Sequence, residues 1–212
     1  YFYKYVELSS TPQHLEKINF YSLQGSEFFS DEEIYEALGL QYVEPELREG
    51  LNEIEFARQH EIPQLIELSD LKGILHNHTT YSDGVHTLKE MADYCRDLGY
   101  QYFGVCDHSK TAFYANGLDI DRVEQQQREI DKLNSGYTNF KILKGIESDI
   151  LNDGSLDYSD DILSSFDFVV ASVHSNLKMN EEKATERLIK AIENPYTSIL
   201  GHPTGRLLLA RN

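Results

Sequence analysis

Cysteine is almost missing from this 212-residue chain. Cys95 and Cys106 are the two present, too few to frame a fold by disulfides, and they read as buried, reduced thiols. No run of eighteen apolar residues occurs, which excludes an ordinary membrane-spanning helix and any membrane partner that such a helix would bring. No charged stretch followed by an apolar core and a small-residue cleavage site is legible at the start, so the expected location is cytoplasmic. Basic residues are scarce as well: 19 Lys and Arg stand against 36 Asp and Glu, a net charge of −17. That imbalance opposes a tight electrostatic grip on a nucleic-acid backbone and argues against a simple DNA-binding module. A phosphate-bearing substrate would need local positive charge, which bound divalent cations supply.

What is present is a rhythm. With 40% hydrophobic residues the chain is globular, and from Leu71 onward strand-like runs alternate with gaps long enough for one helix each. The runs are Gly73 to His78, Tyr102 to His108, Phe140 to Glu147, Phe166 to His174 and Ser198 to His202. Thr87 is placed to cap a helix with apolar residues Leu88, Met91, Ala92, Cys95 and Leu98, stopping at Gly99. Further helices are expected from Asp119 to Leu133 and from Asn180 to Ile192. Strand alternating with helix specifies an α/β fold with a parallel sheet or barrel.

Residues 1 to 70 differ in character. They are acidic, poor in strand signal, and carry helix cues at Pro12 to Ile18, at Ser30 to Leu38 with a Ser30/Glu33 capping box, and at Asn52 to Gln59. Glu44 to Gly50 reads as an extended or turning connector. The domain boundary is therefore expected near Asp70, with a small helical segment at 1–70 and the α/β domain at 71–212.

Each strand-like run closes on a histidine or a glutamate. In a parallel sheet the carboxyl ends lie together, so His76, His78, His108, Glu147, His174 and His202 are expected on one rim. His76 and His78 stand two apart, and on an extended chain both would point to one face. Gly84 permits a tight turn presenting Asp83. A lone Glu147 at the end of an apolar run would be costly to bury, and bridging two cations would resolve that cost. Asp107 precedes His108 either as an acceptor that orients an imidazole or as a loop cap. His14, His60 and His86 fall outside the pattern and are expected on the surface. Any one strand-end histidine could be a hydrogen-bonded core residue, but five on matched strand ends point to a metal site. The nitrogen and oxygen donor set suits Zn²⁺, Mn²⁺ or Fe²⁺. Seven donor residues exceed the needs of one tetrahedral ion, so two or three metals are implied, an arrangement typical of phosphate-ester hydrolysis.

Taken together, His76-Asn77-His78, Ser82-Asp83-Gly84, Asp107-His108-Ser109, Glu147 and Gly201-His202-Pro203 resemble the polymerase and histidinol phosphatase (PHP) family. The resemblance implies a distorted, TIM-like (β/α)₇ barrel, cut short at its carboxyl end here, preceded by a small, mainly helical segment. It is closest to the PHP domain that ends bacterial family X DNA polymerases, through Asp107-His108-Ser109-Lys110, Ala115-Asn116-Gly117-Leu118, Gly201 to Leu208, and Pro45 to Gly50. Residues 1–70 then look like the end of the polymerase thumb and a linker. By the same resemblance one metal is held by His76, His78 and Glu147, a second by Asp83 and His108, and a third by Glu147, His174 and His202, with Glu147 bridging. Members complete the first two sites with a later aspartate and histidine. Lys110 and Arg206 are candidate substrate-phosphate ligands, or else solvated loop charges. The implied activity is metal-dependent 3′–5′ hydrolysis at DNA ends in repair, with DNA held through the intact polymerase. No palm-like aspartate pair is visible, so this chain is not expected to polymerise DNA. The rivals are a histidinol-phosphate-type phosphatase and a non-catalytic metal-binding module.

Overall fold

The computed structural model describes residues 1–204. The chain forms two compact units, Tyr1–Ile66 and Glu67–Asn212. Among the described residues no helix is long and apolar enough to cross a membrane.

The first unit is built from α1 (Phe2–Leu8), α2 (Pro12–Lys17), α3 (Glu32–Ala37) and α4 (Glu53–Gln59), with 3₁₀ turns at Phe20–Leu23 and Pro45–Leu47. Helices this short are marginal alone, so their apolar faces must supply the stability. Val6, Leu15, Phe20, Ile34, Tyr35, Val43 and Ile54 make one buried cluster. At α3 the Glu33 amide donates to Ser30 Oγ (3.3 Å), while the Glu33 carboxylate accepts from Phe29 N (2.8 Å). The return bond thus reaches one residue further upstream than in a regular capping box. Arg48, in the connector, is buried and donates to Asp31 Oδ2 (2.8 Å), Ser9 Oγ (2.7 Å) and Val43 O (2.9 Å).

His14 corrects one sequence expectation: it is fully buried, not a surface residue. Its Nδ1 lies 2.7 Å from Glu53 Oε1 and its Nε2 2.9 Å from Tyr35 Oη. Those partners stand 39 and 21 residues away, which is why local sequence did not reveal them. His60 and His86 are exposed.

The second unit carries a five-stranded sheet in the order β1 (Gly73–Asn77), β2 (Tyr102–Val105), β3 (Lys141–Asp149), β4 (Phe168–Ser172) and β5 (Thr197–Leu200). Every pairing is parallel, and the sheet curls into a half-barrel of the TIM-like kind. The connections carry α5 (Leu88–Asp97), α6 (Ile120–Asn134), the short α7 (Asp160–Leu163) and α8 (Glu181–Ile192). Thr87 caps α5 through the Glu90 amide and closes a capping box. Gly99, at φ +86°, ends the turn after it, a left-handed conformation that glycine adopts without strain. Asp119 and Asn180 cap α6 and α8. β4 is buried along its whole length, as expected of a parallel strand covered on both faces. One core cluster joins Leu88, Ala92, Cys95, Phe103, Ile130 and Ile142; another joins Val123, Ile146, Leu163, Val169 and Ala191.

Candidate metal centre

The strands end slightly before most of the candidate ligands, and the offset builds the site. Glu147 sits inside β3, in register with Val170 of β4. A single parallel bridge beyond β2 sets His108 beside it, held by Glu147 N donating to Asp107 O (3.0 Å) and Ser109 N donating to Glu147 O (3.0 Å). His174 and His202 each follow their strand by two residues.

His76 departs from the extended-chain expectation. Between Ile74 and Asn77 the β1–β2 register takes three steps on β1 against two on β2, a bulge, and His76 occupies the left-handed region at φ +62°. A non-glycine residue there is uncommon and marks a constrained position. His76 and His78 do converge on one carboxylate, but through a bulge rather than simple alternation.

That carboxylate belongs to Glu147, 1% exposed and encircled by imidazoles. Its Oε1 lies 3.0 Å from His76 Nε2, 3.2 Å from His174 Nε2 and 2.9 Å from His202 Nε2. Its Oε2 lies 3.5 Å from His78 Nε2 and 3.0 Å from His108 Nδ1. Asp83, half-exposed, stands 3.6 Å from His78 Nδ1 and 3.7 Å from His108 Nε2. Burial pushes the Glu147 carboxyl up, but hydrogen bonds from His174 and His76 outweigh it and hold the group well below the usual carboxylate range.

The polar atoms do not all find partners. His78 Nδ1, His108 Nδ1 and Glu147 Oε2 are buried without a hydrogen bond among the described residues, the 3.0 Å approach of His108 notwithstanding. Leaving such groups unmade is costly. Three triads have donor atoms mutually within 4.8 Å: His76, His78 and Glu147; His78, Asp83 and His108; His108, Glu147 and His174. Imidazole and carboxylate donors so spaced, with orphaned lone pairs, fit a cluster of divalent ions.

Asp149 was missed in the sequence reading. It is buried, and its Oδ1 lies 2.5 Å from His174 Nδ1. Such a carboxylate behind an imidazole fixes its tautomer and turns Nε2 toward the site. Burial pulls the His174 pKa down, but the bonds to Asp149 and Glu147 overcome that and carry it up to about 9. The missed signal was the i, i+2 spacing of Glu147 and Asp149 on one strand. Asp149 also accepts from Thr111 Oγ1 (2.8 Å), which reaches Asp157 Oδ2 as well (2.9 Å).

Asp107 takes the loop-cap role. Fully buried, it accepts from Thr79 N (2.7 Å), Thr79 Oγ1 (2.6 Å), Ser82 N (3.2 Å) and Gln126 Nε2 (2.6 Å). It thereby shapes the turn that presents Asp83. Gly84 closes the turn by close approach: a Cβ there would lie 2.3 Å from His78 O. Lys110 is exposed, its ammonium 5.5 Å from the centre of the Tyr158 ring. Arg206 lies outside the described residues.

Residues 75–207 match the PHP domain family. The chain is 46% identical over 181 residues to the DNA polymerase/3′-5′ exonuclease PolX of Bacillus subtilis (strain 168), covering 85% of this chain and 31% of that protein. It is 42% identical over 67 residues to a probable phosphatase of Caldanaerobacter subterraneus subsp. tengcongensis, 30% of this chain and 26% of the relative. A probable phosphatase of Acetivibrio thermocellus is 33% identical over 135 residues, 60% of this chain and 52% of the relative. The chain therefore spans about a third of the first relative and between a quarter and a half of the other two.

Proposed function

The chain belongs to the PHP domain family, and on that premise we propose that its second unit hydrolyses phosphodiesters or blocked ends at the 3′ terminus of DNA, in repair, as part of a family X polymerase. The observation that carries a metal-dependent phosphoesterase is the buried Glu147 ringed by five imidazoles, with donor atoms left unpaired. The DNA substrate and the polymerase context rest on the 46% identity to PolX of Bacillus subtilis. On this reading the first unit is the end of a polymerase thumb with its linker.

One ion would be held by His76, His78 and Glu147, a second by Asp83 and His108, and a third by Glu147, His174 and His202, with Glu147 shared. Divalent ions supply Lewis-acid charge to a phosphoryl group and make a coordinated water more acidic. The chain's own residues prepare that chemistry. Glu147 contributes a negative charge that the fold keeps ionised. Asp149 orients His174, and Asp107 fixes the turn on which Asp83 approaches His78 and His108. With a net charge of −17, the ions would also be the local attraction for a polyanion.

The test is hydrolysis of a 3′-ended oligonucleotide with Mn²⁺ present. The expected result is stepwise shortening from the 3′ end that His76→Ala abolishes; intact oligonucleotide with wild-type protein removes the DNA reading. The probable-phosphatase relatives support a second reading, a small-molecule monoesterase. Faster turnover of histidinol phosphate than of oligonucleotides would select it. Bound metal with every phosphoester left intact would instead indicate a structural module.

A further inference from the structure

The loop after His108 carries an aromatic surface that the metal chemistry does not use. Within the 3₁₀ turn Phe113–Ala115, Phe113 is 86% and Tyr114 71% exposed, whereas the flanking Ala112 and Ala115 are buried. The turn is therefore anchored by its small residues, with the two rings left outside. Its exit is also pinned. Asn116 is left-handed at φ +55°, Arg122 Nη1 donates to Asn116 O (2.8 Å) and Gly117 O (3.1 Å), and a Cβ on Gly117 would lie 1.9 Å from Ser109 O. At its entrance Thr111 is tied to Asp149 and Asp157.

This held loop sets the Tyr114 ring against the metal centre. Its centroid lies 5.9 Å from that of His108 and 6.2 Å from that of His174, both edge-on at 64° and 76°. A ring carried on a pinned backbone has less freedom to lose on binding than one on a loose loop, which favours a planar partner stacked on it. Stacking also needs no positive charge, and so suits a protein that is short of it.

Resting on the phosphoester reading above, we propose that Tyr114, with the adjoining Phe113, is a stacking platform for the nucleobase next to the scissile phosphate. The substrate class is then a nucleotide-bearing ester, distinguished by its base, not an aliphatic phosphate.

Two measurements test it. In the first, hydrolysis is compared between an oligonucleotide ending in a normal 3′ nucleotide and one ending in an abasic sugar. Tyr114→Ala is expected to raise KM for the base-bearing end by roughly ten- to a hundredfold, more than it raises KM for the abasic end. Tyr114→Trp and Tyr114→Phe should retain the wild-type KM within about twofold. An equal loss on both ends, or none on either, overturns the platform. In the second, ring-proton resonances of Tyr114 are followed by NMR as dAMP or ribose 5-phosphate is added with Zn²⁺. An upfield shift with dAMP alone supports stacking; equal shifts with both, or none, overturn it. If no oligonucleotide is cut and dAMP still moves Tyr114, the DNA-hydrolase reading fails and the base site stands. If cutting proceeds while dAMP leaves Tyr114 unmoved, the reverse holds.

Discussion

Both units bury a histidine against a glutamate, and the two pairings differ in what they leave undone. In the first unit His14 is satisfied at both ring nitrogens, by Glu53 and Tyr35. Glu53 in turn accepts from the amides of Gly50 (2.5 Å) and Leu51 (2.6 Å). Nothing there lacks a partner, and the group closes on itself as a structural tie. In the second unit five imidazoles crowd one carboxylate, and Glu147 Oε2 and the Nδ1 atoms of His78 and His108 have no hydrogen bond among the described residues. A buried histidine is thus a sign of function when its surroundings leave lone pairs over, not simply when it is buried.

The largest effect should come from Glu147→Gln, which removes the charge shared by all five imidazoles while keeping the shape. Metal uptake measured by elemental analysis should fall, and hydrolysis should drop about a thousandfold or more, the scale of losing a member of a unit that acts together. Retained uptake would break the contrast. At the other histidine, His14→Ala takes one hydrogen bond from Glu53, which keeps those from the Gly50 and Leu51 amides, and leaves Tyr35 Oη without its acceptor. It should destabilise the first unit by about 1–3 kcal/mol in denaturant titrations, with metal content unchanged.

Asp149→Asn acts on His174 from behind the site. It keeps an oxygen near His174 but removes the charge that orients the ring, so metal affinity by calorimetry should weaken about ten- to a hundredfold. The melting temperature of the first unit should not move.

The effects of pH are graded over several units, and they run in opposite directions. Burial lowers the pKa of His14 against the pull of Glu53, and its folded value lies below its unfolded one. Its stability is therefore present above about pH 6.5 and lost as pH falls. Glu53 is also lowered: burial raises it, but bonds from His14 and the loop amides prevail, so it adds to the loss in acid. His174 is the reverse case, raised to about 9. Without metal its contribution is full below about pH 6.5 and is lost as pH rises through about 9. Since a ligating imidazole must be neutral, metal affinity should rise by up to about tenfold per pH unit from 7 toward 9. A flat affinity across that range would contradict the assignment of His174.

Much of this was legible because strand-end placement is a long-range fact written locally. In a parallel sheet, residues closing successive strands meet whatever lies between them, so His108, Glu147, His174 and His202 were legible together from spacing alone. His76 and His78 were legible as a pair, but the bulge was not: Leu75 and His76 carry no glycine to mark a left-handed residue. Asp107 could be read two ways, because its partners Thr79, Ser82 and Gln126 come from outside its own segment. His14 was misread for the same reason, and the partner that gives Asp149 its role, His174, lies 25 residues away. Nothing local to Tyr114 in the sequence signals that the turn sets its ring beside His108 and His174.

Long-range ¹H–¹⁵N spectra of the histidine side chains during a Zn²⁺ titration separate the strand-end histidines from the satisfied one. Nitrogen resonances of His76, His78, His108, His174 and His202 are expected to move to metal-bound positions while His14 stays where it was. Movement of His14 alongside the rest, or five strand-end imidazoles that ignore the ion, would rule out a metal centre at the strand ends.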